Sequence, residues 1–363
     1  MNNNVLIFTR SMGLGGTENV ILQLTEILME SGFNIVVCSS GGVNVAKLNK
    51  LGIKHYYMKD ITKIGVLNFF INLILLYKII LKENISIIHV HHRMAAFYTQ
   101  FLYQKRKLLK IASVHNTFYD KKILTRIAYK NFKLIAVGNE VKKNLVDFFG
   151  LKESDIVVIR NAVKPFNEIV VMDKHIKNCR EKGLKVVINV GRLTKQKGME
   201  YFILAADKVI RKNKNVAFLI VGTGELEHKL IDLVLEKKLS EKVFFLGYRS
   251  DVRNLMSQSD LIVLSSLWEG FPLTPIESFS VGKTVVATSV DGTKEIVDNY
   301  VNGILVKPKD YDELATQIVE VLAKDDLRAK LESNAYAKYL NNYSIERLRS
   351  DYKKLYENLL NNK

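Results

Sequence analysis

Two carboxylates bracket the stretch Glu269-Gly270-Phe271-Pro272-Leu273-Thr274-Pro275-Ile276-Glu277, and the signals of a helix start lie between them. Thr274 stands where an N-cap is expected, Pro275 at the first helical position and Glu277 three residues after the cap. The apolar run Leu261–Leu264, ending at Ser265-Ser266, reads as a buried strand ahead of it. A helix that opens at the carboxyl end of a parallel strand turns unpaired backbone N–H groups, and a positive dipole end, toward a ligand crevice. A diphosphate fits such a place, and carboxylates on either side can accept hydrogen bonds from hydroxyls. A T-x-x-E box also serves as a plain cap, so the rest of the chain has to supply the other parts.

Val190-Gly191-Arg192-Leu193-Thr194-Lys195-Gln196-Lys197-Gly198 follows another apolar run. An Arg fork and a compact Lys charge on a loop after a strand suit a departing diphosphate. Arg192 and Lys197 are the candidates, and Lys195 reads as a surface lysine. Gly13-Leu14-Gly15-Gly16-Thr17-Glu18 comes after the first strand-like run and opens a helix, where glycine lets backbone approach a phosphate closely. Glu18 stands where a dinucleotide fingerprint needs Gly, and no Gly-Lys-Ser/Thr of a P-loop is present. A tight turn explains this motif equally well.

His115, in Ala112-Ser113-Val114-His115-Asn116-Thr117, ends an apolar strand and so falls at a crevice, able to bond a sugar hydroxyl or a carbonyl. His89, His91 and His92 end the strand before it, and no carboxylate or cysteine joins them at metal-ligand spacing. His89 and His92 read as structural. Asp310-Tyr311-Asp312 matches a D-x-D metal pattern, but it stands before Glu313-Leu314-Ala315, where an Asp caps a helix. No metal and no cofactor is assigned.

The elements that must position these groups alternate along the chain. Strand-like runs at Val5–Phe8, Ile35–Cys38, Ile85–Val90, Lys110–Val114, Leu134–Val137 and Ile156–Arg160 are separated by helix-length segments such as Glu18–Ser31 and Val141–Phe149. The pattern restarts with Lys185–Val190, Ala217–Val221, Val243–Leu246, Leu261–Leu264 and Thr284–Ala287. Repeated βαβ patterning of this kind predicts two parallel-sheet domains. The expected join is near Ala162–Lys185, and Ser344–Asn361 reads as a final helix.

Length and composition agree with a two-domain globular chain: 363 residues, 48% hydrophobic, with 4 Pro. Cys38 and Cys179 form neither a disulfide framework nor a metal set, which points to a reducing cytoplasm. Asn2-Asn3-Asn4 leads straight into the first strand-like run, unlike a secretory signal. Ile64–Leu81 is the one transmembrane candidate; Asn68, Asn72 and Lys78 interrupt it, so it reads as a mostly buried helix, with a partly membrane-facing helix as the alternative. Residues 1–165 carry 23 Lys and Arg against 10 Asp and Glu, a net of +13 within the chain's +17. The excess peaks from Lys105 to Lys133, opposed only by Asp120. Such a face suits anionic lipid or nucleic acid, and a solvated lysine-rich surface explains it as well; the asymmetry between the halves favours an anionic membrane surface.

Taken in order, these motifs resemble the retaining glycosyltransferases of the glycogen-synthase-like and mannosyltransferase-like family (group 1, family 4). The resemblance rests on Gly15–Glu18, Ile87-Ile88-His89-Val90-His91, Val114-His115-Asn116-Thr117 and Ile159-Arg160-Asn161-Ala162-Val163. It continues through Gly191-Arg192 with Lys197-Gly198, Ile220-Val221-Gly222-Thr223-Gly224, the Glu269/Glu277 pair and Tyr352 with Leu355-Tyr356. It implies an α/β protein of GT-B fold, two Rossmann-like parallel-sheet domains facing a central cleft. Residues 1–163 form the acceptor-side domain and 164–343 the nucleotide-sugar domain, with a terminal helix at 344–363 crossing back.

Carried over by position, the resemblance implies a donor site of Gly15, Gly16, Arg192, Lys197, Tyr248, Glu269, Phe271, Leu273, Thr274 and Glu277. Gly16 meets the distal phosphate, and Arg192 and Lys197 neutralise the diphosphate. Leu273 and Thr274 bind it, Glu277 holds the ribose and Glu269 the sugar. His115 contacts the sugar near the acceptor, and His115, Arg192, Lys197 and Glu269 are the catalytic set. Phe245 to Tyr248 flank the base. The implied donor is a nucleotide sugar, UDP-linked by family frequency, and the acceptor a glycan or a lipid-linked sugar. Two departures stand out. Pro272 removes a backbone N–H the family usually offers the sugar, and Asn161-Ala162-Val163 lacks the usual Gly and Asp. A sugar-nucleotide epimerase and a basic nucleic-acid-binding protein are the alternatives; the Glu269/Glu277 loop opposes the first, and no nucleic-acid module supports the second.

Overall fold

The computed structural model describes residues 3–63, 65–102 and 108–361. Ile64 and, from the basic stretch, Lys105, Arg106 and Lys107 lie outside the described residues. The chain divides into two compact units, Met1–Asn161 with Glu346–Lys363, and Ala162–Ile345.

The first unit alternates strand and helix. It runs β1 (Asn4–Phe8), α1 (Gly16–Glu30), β2 (Asn34–Ser39), α2 (Val45–Lys50), β3 (Lys54–Tyr57), α3 (Val66–Lys82) and β4 (Ile87–Val90). Then come α4 (Arg93–Gln100), β5 (Leu109–Val114), α5 (Lys122–Ala128), β6 (Lys133–Ala136), α6 (Asn139–Lys143) and β7 (Ile156–Val158). All pairings are parallel, in the order β3-β2-β1-β4-β5-β6-β7. Because helices cover both faces, the central strands are apolar without alternation, and Val5 to Phe8 are fully buried.

The second unit repeats that scheme. Its elements are α7 (Lys174–Glu181), β8 (Lys185–Val190), α8 (Met199–Lys212), β9 (Val216–Val221), α9 (Glu227–Glu236), β10 (Val243–Phe245) and α10 (Val252–Gln258). They continue with β11 (Leu261–Leu264), α11 (Leu273–Ser280), β12 (Val285–Thr288), α12 (Asp291–Lys294), β13 (Ile304–Val306), α13 (Tyr311–Ala323) and α14 (Asp325–Asn342). The sheet order is β10-β9-β8-β11-β12-β13, again parallel. Its core joins Val187, Phe218, Val263 and Val286 of the sheet to Phe202 and Ile318 of the helices.

The last helix, α15 (Ile345–Asn361), packs in the first unit. Tyr356 stacks edge-on against Phe33 at 5.2 Å, and Arg349 pairs with Glu30 at 2.6 Å. Leu348, Tyr352, Leu355 and Tyr356 are all buried.

Both sheets share one strand order, and in each the direction of winding reverses between two adjacent strands, β1 and β4 or β8 and β11. Loops leaving the carboxyl ends of such a pair diverge and open a crevice, the usual ligand position in open α/β sheets.

Several sequence expectations need correction. β3 and β13 were not expected: Lys-His-Tyr-Tyr lacks an apolar run, and Ile304–Val306 is only three residues. The Val141–Phe149 segment is a short α-helix that passes into a π-helix at Asn144–Phe148. There the Asn144 side chain brackets the backbone of Phe118, accepting from its N–H at 3.1 Å and donating to its carbonyl at 2.9 Å. α3 is not mostly buried. Only Asn72, Leu76, Ile79 and Ile80 are covered, while Leu67, Phe70, Ile71 and Ile74 face outward. Among the described residues no helix is long and apolar enough to cross a membrane.

Candidate active site

β8 and β11 are neighbours in register, Leu261 beside Val187 and Ile262 beside Ile188. Their loops therefore leave the sheet side by side, and both carry candidates. After β8, Arg192 is exposed and donates to Gln196 Oε1 at 3.3 Å. A short 3₁₀ turn at Lys195–Lys197 then feeds α8 through Gly198, whose φ is +56°. A Cβ at Gly198 would collide with the Ser265 carbonyl of the neighbouring loop, so both the conformation and the space demand glycine.

Lys197 and Glu269 arrive at the same spot. Lys197 Nζ lies 2.6 Å from Glu269 Oε1, with the side chains 16% and 7% exposed. Ser266 Oγ donates to the same oxygen at 2.7 Å, and Gln196 Nε2 reaches Glu269 Oε2 at 3.4 Å. Three donors thus hold one buried carboxylate. A charge this deep needs a partner, and Lys197 supplies it. The Glu269 backbone is pinned as well, its carbonyl accepting from Gly292 N–H at 3.1 Å.

The helix after Glu269 begins earlier than Thr274. α11 starts at Leu273 with Pro272 in the cap position, and no side chain caps it. This displaces the expected Thr274 cap: Pro272 already fixes an extended φ, and Pro275 falls inside the first turn, where no intrahelical N–H bond is required. Two of the four donors at this helix start are therefore prolines without N–H. Leu273 and Thr274 remain as its backbone donors.

Glu277 sits one turn further along, half-buried. Burial raises its carboxyl above the usual glutamate value, opposed by the positive charges of Arg253 and Lys197. Lys197 is therefore within electrostatic reach of both carboxylates. Phe271 turns its ring inward, 5% exposed and edge-on to Tyr343 at 6.1 Å. Tyr248, after β10, is half exposed at 52%.

Sequence reasoning missed Gln196, Ser266, Thr194 and Arg253. Gln196 bridges the two loops, bonding the Trp268 carbonyl at 3.1 Å as well as Glu269. The Thr194 hydroxyl is buried without a partner. Arg253 holds the Lys164 carbonyl at 2.6 Å. No periodicity marks such residues. Only Ser266, next to the strand end and three before Glu269, left a local signal.

In the first unit, Gly15 caps α1, and Glu18 folds back beside it, accepting from Ser11 Oγ at 3.3 Å. Gly16 is exposed as the first helical residue. At the ends of β4 and β5 three histidine rings form a column. His89 stacks on His91 at 4.5 Å and His91 on His115 at 5.3 Å. His89 is held between Tyr356 Oη and Ser113 Oγ, both at 2.8 Å. His91 Nδ1 bonds His115 Nε2 at 3.0 Å, and His91 Nε2 is buried without a partner. Burial lowers all three: His89 to about 3, His115 to about 4, and His91 well below the usual value. His92 caps α4 through Met94 N–H, as its structural reading expected. Asp310 likewise caps α13, accepting from Glu313 N–H at 2.9 Å. Among the described residues no three His, Cys, Asp or Glu side chains gather as a metal site.

Residues 14–165 match the family model described as Glycosyltransferase Family 4, and residues 171–338 match Glycosyl transferases group 1. The chain is 28% identical over 371 residues to the Escherichia coli UDP-Gal:alpha-D-GlcNAc-diphosphoundecaprenol alpha-1,3-galactosyltransferase, covering 96% of this chain and 95% of that one. A glycosyltransferase from Rickettsia africae matches at TM-score 0.83 and 25% identity, over 100% of each chain. Anabaena HepE in complex with UDP-glucose has a TM-score of 0.86 at 20% identity, over 98% of this chain and 99% of that one, a likeness of fold. Two matched halves, each a parallel sheet of one strand order, show that the chain belongs to the group 1 glycosyltransferases and has the GT-B fold.

Proposed function

We propose that the protein transfers a sugar, with retention of configuration, from a UDP-linked donor to a lipid-linked or polysaccharide acceptor in surface glycan assembly. The observation that carries this reading is the convergence of Lys197, Glu269 and the Leu273–Thr274 helix start on the adjacent loops of β8 and β11. Backbone donors and two cations suit the diphosphate, and the buried Glu269 and half-buried Glu277 carboxylates on either side suit sugar and ribose hydroxyls. Lys197 already carries the Glu269 charge, so a diphosphate here meets a pre-formed ion pair rather than a bare cation. Arg192 is the more exposed cation of the two.

In this reading catalysis rests on positioning and on charge stabilisation of the departing diphosphate, without a metal. Phe271 contributes through its backbone, since its ring is turned inward. Tyr248 lies beside the base. Gly15 and Gly16 offer backbone N–H groups to a phosphate, for which Glu18 must turn aside, and His115 contacts the sugar. The first unit is the acceptor side and meets an anionic membrane surface. The E. coli relative acts on a diphosphoundecaprenol-linked sugar, and HepE was solved with UDP-glucose; both support the donor and acceptor classes.

A thermal-shift screen over UDP, GDP, ADP and their common sugars tests the proposal, because a ligand that binds the native state raises the melting temperature. UDP and one UDP-sugar are expected to stabilise the protein, and Arg192→Ala to lose that shift while melting normally. No shift with any nucleotide contradicts the reading.

A further inference from the structure

α3 is apolar on both sides. Its inner side buries Leu76, Ile79 and Ile80 and meets α4, where Phe69 lies 4.7 Å from Tyr98 and 5.2 Å from Phe101. Its outer side carries Leu67, Phe70, Ile71, Ile74 and Leu81 at helical spacing, with Leu67 74% and Ile74 56% exposed. A surface helix ordinarily turns polar residues outward, and a contiguous apolar face marks an interaction site. The face continues beyond α3. Right-handed crossovers place α1 and α2 on one side of the sheet and α3, α4 and α5 on the other. That second layer also exposes Phe101 and, on α5, Ile123 and Ile127.

Charge identifies the occupant. The only acidic residues between positions 63 and 133, Glu83 and Asp120, are already paired with Lys54 and Arg93. Among the described residues, exposed Lys78 and Lys82 on α3, and Lys121, Lys122, Arg126 and Lys130 around α5, form no ion pair; Lys82 and Lys121 feel only Glu83 and Asp120, which are already paired elsewhere. An apolar stripe flanked by uncompensated cations matches an anionic bilayer surface, with apolar side chains below the headgroups and cations among them. We propose that α3 is an in-plane membrane anchor that lies in the headgroup region of an anionic bilayer, assisted by the cations of α5. This rests on the membrane-surface part of the functional reading and names the element responsible.

The test is co-sedimentation of the full chain with sucrose-loaded vesicles of phosphatidylglycerol and phosphatidylcholine, against phosphatidylcholine alone. The wild type is expected to sediment with the anionic vesicles. Phe70→Glu with Ile74→Glu should weaken partitioning more than about tenfold, with melting temperature and UDP-induced shift unchanged. Lys121→Glu with Lys122→Glu should remove the preference for anionic vesicles. Unchanged partitioning of the α3 variant overturns the anchor and leaves a purely electrostatic contact. No sedimentation of the wild type overturns both. A wild-type dimer that the α3 variant breaks, without vesicle binding, makes a second copy the occupant and also overturns the proposal. The UDP shift reports separately on the transferase reading.

A second inference comes from the orphaned Nε2 of His91. In the bond between His91 Nδ1 and His115 Nε2, one neutral ring donates and the other accepts. If His91 accepted there, its buried Nε2 would carry an N–H with no partner, costlier than an unused lone pair. We infer that His91 is a positioning residue that donates from Nδ1, and so fixes His115 with its proton on Nδ1. Long-range ¹⁵N–¹H spectra of the histidine-labelled chain test this. Wild-type His115 is expected to be protonated on Nδ1. His91→Asn, whose amide nitrogen takes the place of Nδ1, should keep that form, and His91→Leu should lose it. Wild-type His115 protonated on Nε2, or an unchanged tautomer in His91→Leu, overturns the inference. Should His91→Leu not fold, the wild-type tautomer decides alone.

Discussion

The two units have one strand order and treat charge in opposite ways. In the second unit acids and bases are matched at close range: Lys197 with Glu269 at 2.6 Å at the β8/β11 switch point, and Arg249, after the edge strand β10, with Asp173 at 2.8 Å and Asp251 at 2.6 Å. In the first unit, at the ends of β4 and β5 beside the β1/β4 switch point, polarity is carried by a column of neutral histidines, and the ion pairs, such as Arg93 with Asp120 at 3.0 Å, leave an excess of cations on the outer layer. Topology fixes where a ligand can sit; the loop side chains decide which chemistry is available there. One unit is arranged around a buried carboxylate and a helix start, the other around a tautomer-sensitive ring stack.

Breaking the matched site should have the largest effect. Glu269→Ala removes the carboxylate and leaves Lys197 unopposed, and turnover of the UDP-sugar returned by the thermal screen is expected to fall about 10²–10³-fold, comparable to losing a preorganised donor. Melting temperature should fall too, because Lys197 is left buried without its partner, so turnover is compared at a temperature where the variant is still folded. Near-normal turnover in steady-state assays would show that the pair is structural.

Acid should separate the units next. A histidine whose pKa is lowered on folding contributes stability that is fully present above its unfolded value near 6.5 and is lost as pH falls through its folded value. With His115 and His92 lowered to about 4 and His89 to about 3, the first unit should weaken progressively below pH 6.5. Hydrogen exchange resolved by segment is expected to show β4 and β5 losing protection before β8 and β11. Simultaneous loss in both sheets would contradict the contrast.

Gly198→Ala should destabilise the second unit by about 1–2 kcal/mol from its left-handed φ alone, with a further cost from the Ser265 carbonyl. Urea unfolding followed by the fluorescence of Trp268, the single tryptophan, reads this unit. The smallest effect is a fraction of a proton. Burial favours the neutral form of Glu277, so in the empty protein its contribution to stability is present below pH 4.5 and is lost as pH rises through its raised value. Ribose hydroxyls donating to the ionised carboxylate should reverse that preference. Donor binding is then expected to release protons and to tighten with rising pH in that window, measured by calorimetry in buffers of different ionisation enthalpy.

Much of the fold was legible because parallel strands buried on both faces leave continuous apolar runs, as at Lys185–Val190 and Leu261–Leu264. β3 escaped notice because an edge strand need not be apolar, and β13 because three residues carry no period. The composition of α3 announced a helix, but an all-apolar helix does not tell which of its sides is covered. Arg192, Lys197, Glu269 and Glu277 could be named from their loops. Their pairing could not: Lys197 and Glu269 are 72 positions apart, and the two prolines that shift the start of α11 imitate a capping box. The histidine column depends on Tyr356, 267 positions from His89, and no local pattern reports that contact.

The central claim is that the start of α11 and the loop after β8 hold a diphosphate. The N–H groups of Leu273 and Thr274 have no acceptor within their helix, so they should exchange quickly in the empty protein and slowly when a diphosphate accepts from them. Residue-resolved hydrogen exchange with and without UDP measures this directly. The account expects protection concentrated at 191–198 and 269–277. Stabilisation by UDP with exchange at Leu273 and Thr274 unchanged would contradict it.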